Sequence, residues 1–381
     1  MGVDWAALDA DLLRVTRTVV DFRRFIQSQQ SVFSLQGLAV HLARFGLKVL
    51  SFPYAFAAGA KNLAYSTGIK HTFRSPLPVI SVGNLSVGGT GKSPAVAWIA
   101  RLLREHNLRV AILSRGYGAL DDGQNDEALE LELQFPDVPH LQHWDRVASA
   151  KLAEEELDMQ VIVLDDGFQH RRIARNFDLV LIDATDSPGA MWQLPGGLLR
   201  ESLRNLRRAD AVLLTRSDQA SPMQLERIRQ IVMRYVSAGD IYHAEHRPRS
   251  LTAVDRPEIP LDSLAGQKVV AFCGIGNPAS FFASLRSVGA TLIATRQFPD
   301  HHAYDADDVH SIGQWCSSHA INGATRVICT VKDWVKLQCR EMGGLPLEAL
   351  VVEMRIDRAD SLGQQIVETA LGSNPPPEEE A

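Results

Sequence analysis

The chain has little cysteine. Its four residues of that type, Cys273, Cys316, Cys329 and Cys339, form no CxxC pair and all fall in the C-terminal half of 381 residues. A disulfide framework is therefore not expected, and the four read as reduced thiols of a reducing compartment. Long apolar runs are missing too. A membrane span takes about 20 consecutive apolar residues, whereas the apolar stretch 49–60 is broken by Ser51 and Pro53 and closed by Lys61. The opening Met1 to Ala10 has neither a basic start nor an apolar core, so no secretory leader is expected. A net charge of −6 argues against a dedicated nucleic-acid partner.

One local absence carries information. Between Asp21 and Glu105 there is no Asp or Glu, while Arg44, Lys48, Lys61, Lys70 and Arg74 stand among Phe45, Leu47, Leu50, Phe52, Tyr54, Phe56, Leu63 and Tyr65. A basic segment interleaved with aromatic and aliphatic residues suits an anionic lipid surface. It equally suits helices packed on the protein with solvated lysines, and composition leaves both readings open.

Length points to two or three domains. Residues 1–35 read as a helical extension without visible chemistry, and 36–75 as the basic apolar segment. Strands are expected at 76–82, 109–113, 160–164, 179–182 and 211–214, with helical patterns between several of them, which makes 76–240 a core built on a mostly parallel sheet. The stretch 241–266, rich in Pro, Arg and Asp and without a sustained period, reads as a linker. New strands at 268–273 and 326–330 place a smaller α/β domain at 267–371, and the tail 372–381 is Pro- and Glu-rich.

The strongest chemical signal lies between the first strand and its helix. Ser86-Val87-Gly88-Gly89-Thr90-Gly91-Lys92-Ser93 is a Walker A loop in the context such a loop requires, with Ser86 in place of the usual first glycine. Its amides would cradle phosphate oxygens, with Lys92 on the β- and γ-phosphates and Ser93 on magnesium. Downstream, Val161-Ile-Val-Leu-Asp165 is an apolar strand ending in Asp, the Walker B pattern, which makes Asp165 a magnesium partner. A nucleoside triphosphate and Mg²⁺ are the ligands these two motifs imply.

Further groups fall at strand ends: LSRGYG, the NDEA stretch, DDGFQHRR, LPGGLLRESL, then GIGNPASFF, FPDHHAY and TVKDWVK. Together with VISVGNLSVGGTGKSP they resemble, in order and over about residues 47–337, the tetraacyldisaccharide 4′-kinase family. The resemblance implies a P-loop NTPase core with a mostly parallel sheet, N-terminal membrane-associating helices, a smaller C-terminal α/β domain and an active site between the domains. It implies transfer of the γ-phosphate of ATP to the 4′-hydroxyl of an acylated glucosamine disaccharide 1-phosphate, at the cytoplasmic face of the inner membrane. It makes Asp126 the catalytic base, paired with His301 from the other domain. Asp166 and Arg200 join Lys92 as catalytic residues, Glu201 joins Ser93 and Asp165 at the metal, and Asn84, Gln169 and His170 face the substrate. The family's GDEP is NDEA here, so Asn125 and Ala128 replace the flanking Gly and Pro.

Blander and competing readings stand beside these. Val87 occupies the place of the signature lysine in the deviant Walker loops of membrane-associated ATPase switches, the main alternative class. Asp300-His301-His302 reads as a positioned histidine in preference to a metal site. Gly274-Ile-Gly276 reads as a tight turn in preference to a dinucleotide fingerprint. Thr215-Arg216-Ser217-Asp218 departs from the guanine-reading [NT]KxD. Arg171, Arg172 and Arg175 read as a solvated face in preference to a contact with the substrate's anionic 1-phosphate, His140 and His143 as loop surface, and Lys332 and Asp333 as structural.

Overall fold

The computed structural model describes residues 35–116, 126–186, 191–300 and 302–372, with side chains omitted at 35–40 and 126–127. The described residues divide into two compact units, one from 35–116, 135–245 and 354–372, the other from 126–134 and 246–353.

The first unit is a parallel sheet in the order β3-β2-β4-β1-β5-β6-β7, from β1 (Val79–Asn84), β2 (Val110–Ser114), β3 (His140–Gln142), β4 (Val161–Asp165), β5 (Phe177–Asp183), β6 (Ala211–Thr215) and the start of β7 (Ile241–Ala253). Every residue of β1, β2, β4, β5 and β6 is buried, as continuous apolar runs become when both faces of a parallel sheet are covered. Helix α1 (Leu35–Ser66) precedes the sheet, and α2 (Lys92–Glu105) and α4 (Arg146–Glu155) are crossovers within it; α5 (Pro222–Val232) follows β6. The C-terminal α9 (Ala359–Gly372) returns to this unit, with Gly363 against Leu102 of α2. Expected strands lie within a few residues of the observed ones. Residues 359–371, assigned from sequence to the C-terminal domain, belong to the first unit.

The second unit holds β9 (Lys268–Cys273), β10 (Thr291–Gln297), β11 (Arg326–Thr330) and β13 (Leu345–Ile356) in the parallel order β10-β9-β11-β13, with β8 (Arg256–Ile259) and β12 (Glu341–Met342) added antiparallel. Its helices are α3 (Asp126–Gln134), α6 (Pro278–Ser287), α7 (Ala306–Ala320) and α8 (Val331–Leu337). One core joins Phe272, Ile312, Cys316, Val327, Trp334 and Leu347, with Leu129 of α3 packed against it. Residues 241–266 are not an extended linker: they contain β7, β8 and a 3-10 turn, Leu261–Leu264. Burial raises the thiol pKa of Cys316 to about 12 and those of Cys273 and Cys329 further, so these three are unreactive packing groups.

Candidate active site

The carboxyl ends of adjacent parallel strands gather the polar residues of the first unit, the ligand edge of such a sheet. In register, Val82 of β1 faces Asp165 of β4, and Asp183 of β5 faces Thr215 of β6. The chain leaves β1 at Asn84 and re-enters helix at Lys92. Gly91, at the turn into α2, has φ 88°, a left-handed value that favours glycine. Leu85–Val87 is held by a second loop: Val87 N donates to Leu198 O at 2.9 Å and Arg200 N to Leu85 O at 2.7 Å.

That pairing brings Arg200 onto Asp166. Arg200 Nη1 donates to the two Asp166 oxygens at 3.0 and 2.8 Å, and Lys92 Nζ lies 3.8 Å from Oδ1. Burial pushes the Asp166 carboxyl up, yet Lys92, Arg200 and Arg146 outweigh it and hold the group below its ordinary range. Asp166 is therefore a carboxylate that keeps two cations side by side at the mouth of the phosphate loop. Arg146, a residue without a motif, is almost wholly buried and donates to Asp166 O at 3.0 Å. Its position at the start of α4 gave no signal in the sequence.

The other expected residues fall as follows. Ser93 and Asp165 are both buried, and Asp165 Oδ1 accepts from Asp166 N at 2.8 Å. Gln169 Nε2 donates to Asn84 O at 2.8 Å, and Asn84 Nδ2 to Ser86 O at 2.6 Å, so these two amides tie the DDGFQH loop to the phosphate loop. Glu201 is buried, and its Oε2 accepts from Asn205 Nδ2 and Arg208 Nη2, each at 2.8 Å. The side chain of Asp126, and all of His301, lie outside the described residues. The helix that Asp126 begins, however, clusters with the second unit, where Ala128 and Leu131 are buried. Asp126 and the residues on either side of His301 thus belong to the same unit, not to opposite domains.

Of the three arginines read as a solvated face, Arg172 is exposed, whereas Arg171 and Arg175 are partly buried and bonded to the protein. Arg175 pairs with Asp178 at 3.0 Å and donates to the carbonyls of Phe168, His170 and Ile173. Arg171 donates to Asn62 O and Ser66 Oγ of α1, and Arg172 lies 3.6 Å from Asp145. His140 is in β3 with Nε2 2.9 Å from Ser114 Oγ. In the second unit His302 Nε2 is 2.6 Å from Asp308 and its ring stacks on Phe298.

The surroundings of His170 predict a pH effect. Burial, then Arg146, Arg172, Arg175 and Lys61, pull its pKa down to about 4. An unfolded histidine takes its proton near 6.5, so the native state binds fewer protons between those values. Its stability therefore falls as pH drops through that window and is unaffected above it. At pH 5 the penalty is at most about 2 kcal/mol. Thermal melts should show a smaller loss between pH 7 and pH 5 for His170→Gln than for wild type; equal losses would refute the assignment.

Helix α1 docks along this edge by its polar and small residues. Ser51 Oγ donates to Gln193 O and accepts from Gly196 N, both at 2.9 Å. Any side chain on Gly196 would meet Ser51 Oγ at 2.5 Å and the Lys48 backbone at 2.6 Å. Tyr54 OH donates to Arg200 O at 3.0 Å, and Lys61 Nζ to Gln169 O at 3.3 Å. A different stripe, Leu42, Phe45, Val49, Phe52, Phe56 and Leu63, is at least half exposed throughout. The helix thus turns its apolar side away from its own unit.

Comparison with known proteins decides between the kinase and the ATPase switch. The family model described as tetraacyldisaccharide-1-P 4′-kinase matches residues 43–371. The chain belongs to that family. It is 40% identical to the tetraacyldisaccharide 4′-kinase of Geobacter metallireducens over 309 residues, 76% of this chain and 88% of that one. It is 35% identical to the enzyme of that name from Syntrophus aciditrophicus over 349 residues, 84% and 92% of the two chains. Among solved structures it is similar to LpxK from Aquifex aeolicus, crystallised with ATP: TM-score 0.68 and 29% identity, covering 86% of this chain and 99% of that one. Membership of a kinase family makes the chain a phosphotransferase built on a P-loop core, as its motifs imply. No described helix is long and apolar enough to cross a membrane.

Proposed function

We propose that the chain transfers the γ-phosphate of ATP to the 4′-hydroxyl of an acylated glucosamine disaccharide 1-phosphate while resting on the cytoplasmic face of the inner membrane. The observation that carries this reading is the attachment of α1 to the phosphate site. The lipid-facing candidate helix is bonded through Tyr54 to Arg200, and Arg200 shares Asp166 with Lys92.

Each residue has a chemical task in this reaction. The amides of 86–93 and Lys92 hold the triphosphate, and Arg200 neutralises charge that builds on the transferring group. Asp166 keeps Lys92 and Arg200 in place before ATP arrives. Asn84, Gln169 and His170 face the sugar, and a neutral His170 can accept or donate a hydrogen bond there. Asp126 takes the proton of the 4′-hydroxyl and His301 orients that carboxylate. Ser93 and Asp165 fit magnesium: both are buried oxygen donors, on elements that β1 and β4 bring together, and this metal needs only one or two protein ligands beside phosphates and water. When bound, Mg²⁺ would spread the charge of the β- and γ-phosphate oxygens. Glu201 supports the Arg200 loop through Arg208.

The test is an incubation with γ-labelled ATP and vesicles carrying the acylated disaccharide 1-phosphate. Label should appear at the 4′ position of the lipid; label recovered only as free phosphate would overturn the assignment. Replacing Phe45, Phe52 and Phe56 together by Ser should reduce vesicle binding more than tenfold, because burying one such ring is worth about 1.5–3 kcal/mol. Unchanged binding would show that α1 does not enter lipid.

A further inference from the structure

Thr215 ends β6 and Arg216 follows it, and neither has an assigned part in the reaction. Their side chains run to the phosphate loop. Thr215 Oγ1, fully buried, donates to Thr90 O at 2.8 Å. Arg216 Nη2 donates to Gly89 O at 2.8 Å, and Nη1 pairs with Asp183. Asp183 is itself fully buried, and its Oδ1 accepts from Thr185 N at 2.9 Å and Thr185 Oγ1 at 2.6 Å. Arg216 reaches this position from a left-handed backbone, φ 53°, which a non-glycine residue adopts at a cost.

The geometry of the peptide unit gives these contacts a consequence. In a planar trans peptide the C=O and the following N–H point in opposite directions. Fixing Gly89 O on Arg216 therefore turns the Thr90 N–H the other way, and fixing Thr90 O on Thr215 does the same for the Gly91 N–H. Two consecutive carbonyls are drawn toward β6, so two consecutive amides are aimed away from it. Gly88 and Gly91 both have left-handed φ and Gly89 meets no atom where a side chain would stand, so the loop sequence alone leaves these planes free to rotate. A buried ion pair stabilises a fold poorly compared with apolar packing; holding one peptide plane is a better account of why Arg216 and Asp183 lie here.

We infer that Arg216, fixed by Asp183, and Thr215 are positioning residues that set the amide directions of the phosphate loop before the triphosphate binds. The inference rests on the reading that 86–93 holds the triphosphate. A lysine at 216 can meet Asp183 or Gly89 O, but lacks the fork to hold both; valine at 215 keeps the shape of threonine and loses the donor.

The experiment is nucleotide binding and steady-state kinetics on full-length Arg216→Lys and Thr215→Val. Each should weaken ATP and ADP about tenfold and raise the ATP KM alike. AMP binding, the lipid KM and kcat at saturating ATP should stay close to wild type. The double variant should weaken ATP further. If both variants melt like wild type and bind ATP equally tightly, the inference is wrong; a loss of equal size for AMP, or a drop in melting temperature with no nucleotide-specific effect, makes the pair structural and also overturns it. Lys92→Ala separates the two readings. If it binds ATP as wild type does, the loop is not the triphosphate site. If it weakens ATP while the wild-type enzyme never passes label to lipid, the positioning role stands and the kinase assignment falls.

Discussion

An Asp126→Asn variant is expected to lose between about a hundredfold and ten-thousandfold in turnover at saturating ATP, with ATP affinity kept. A sugar alcohol holds its proton far above neutral pH, so an attack on phosphorus that leaves that proton in place places positive charge on the attacking oxygen. A carboxylate removes the charge as it develops, whereas a carboxamide of the same shape cannot. The substitution is also mild structurally. Asp126 begins α3, and the burial that fixes the helix comes later, from Ala128 and Leu131, with Leu129 against the core of the second unit. Neither Lys92 nor Arg200 depends on it in the described contacts, since both meet Asp166. A single-turnover measurement with bound ATP isolates the chemical step. A rate near wild type would remove Asp126 from the role of base, and a collapse confined to Glu127→Gln would move that role by one residue.

Why the sequence disclosed some of this and concealed the rest follows from the range of the forces involved. The phosphate loop is a local device, built from glycines, a lysine and a helix start within one short stretch, so its residues announce it. The core strands of the first unit are equally local, because burial on both faces leaves an unbroken apolar run. Strand β7 was hidden for the opposite reason. Its burial changes along its length, and Arg247-Pro248-Arg249 interrupts any period of two; Arg249 is instead offset by Glu353 and Glu258 from separate strands. Helix α3 follows β2 in the chain, so proximity in sequence assigned it to the P-loop core. Its partner Trp334 lies some two hundred residues later, and only the folded contact reveals that. Arg146, Tyr54 and Arg216 carry no motif because each acts by reaching a backbone carbonyl, and any residue supplies one.

Asp333, read from sequence as a structural residue at a strand end, should prove the most sensitive position of the second unit. It is fully buried at the start of α8 and accepts from three directions: Gly274 N at 3.1 Å to each oxygen, Tyr304 OH at 2.8 Å and Thr330 Oγ1 at 2.6 Å. Burial pushes its carboxyl up against the opposing pull of Thr330, Lys336, Tyr304 and Gly274. Removing the acceptor in Asp333→Ala strands three buried donors, each worth about 1–3 kcal/mol when unmet, so a loss of at least about 3 kcal/mol is expected. Asp333→Asn is the more informative variant. It keeps the volume but replaces one oxygen by an NH₂, so the Gly274 N–H keeps one acceptor of its two and a hydroxyl must turn from donor to acceptor. Gly274 and Tyr304 stand before and after residues 299–302, and Lys336 Nζ donates to His302 O at 3.1 Å. If His301 orients the base, loosening this network should lower kcat by tenfold or more while the ATP KM stays put, because the phosphate loop belongs to the other unit. Hydrogen exchange would show the loss at Gly274 and along 302–304 first. An Asp333→Asn enzyme that exchanges and turns over like wild type would mean that the three donors are satisfied without the carboxylate.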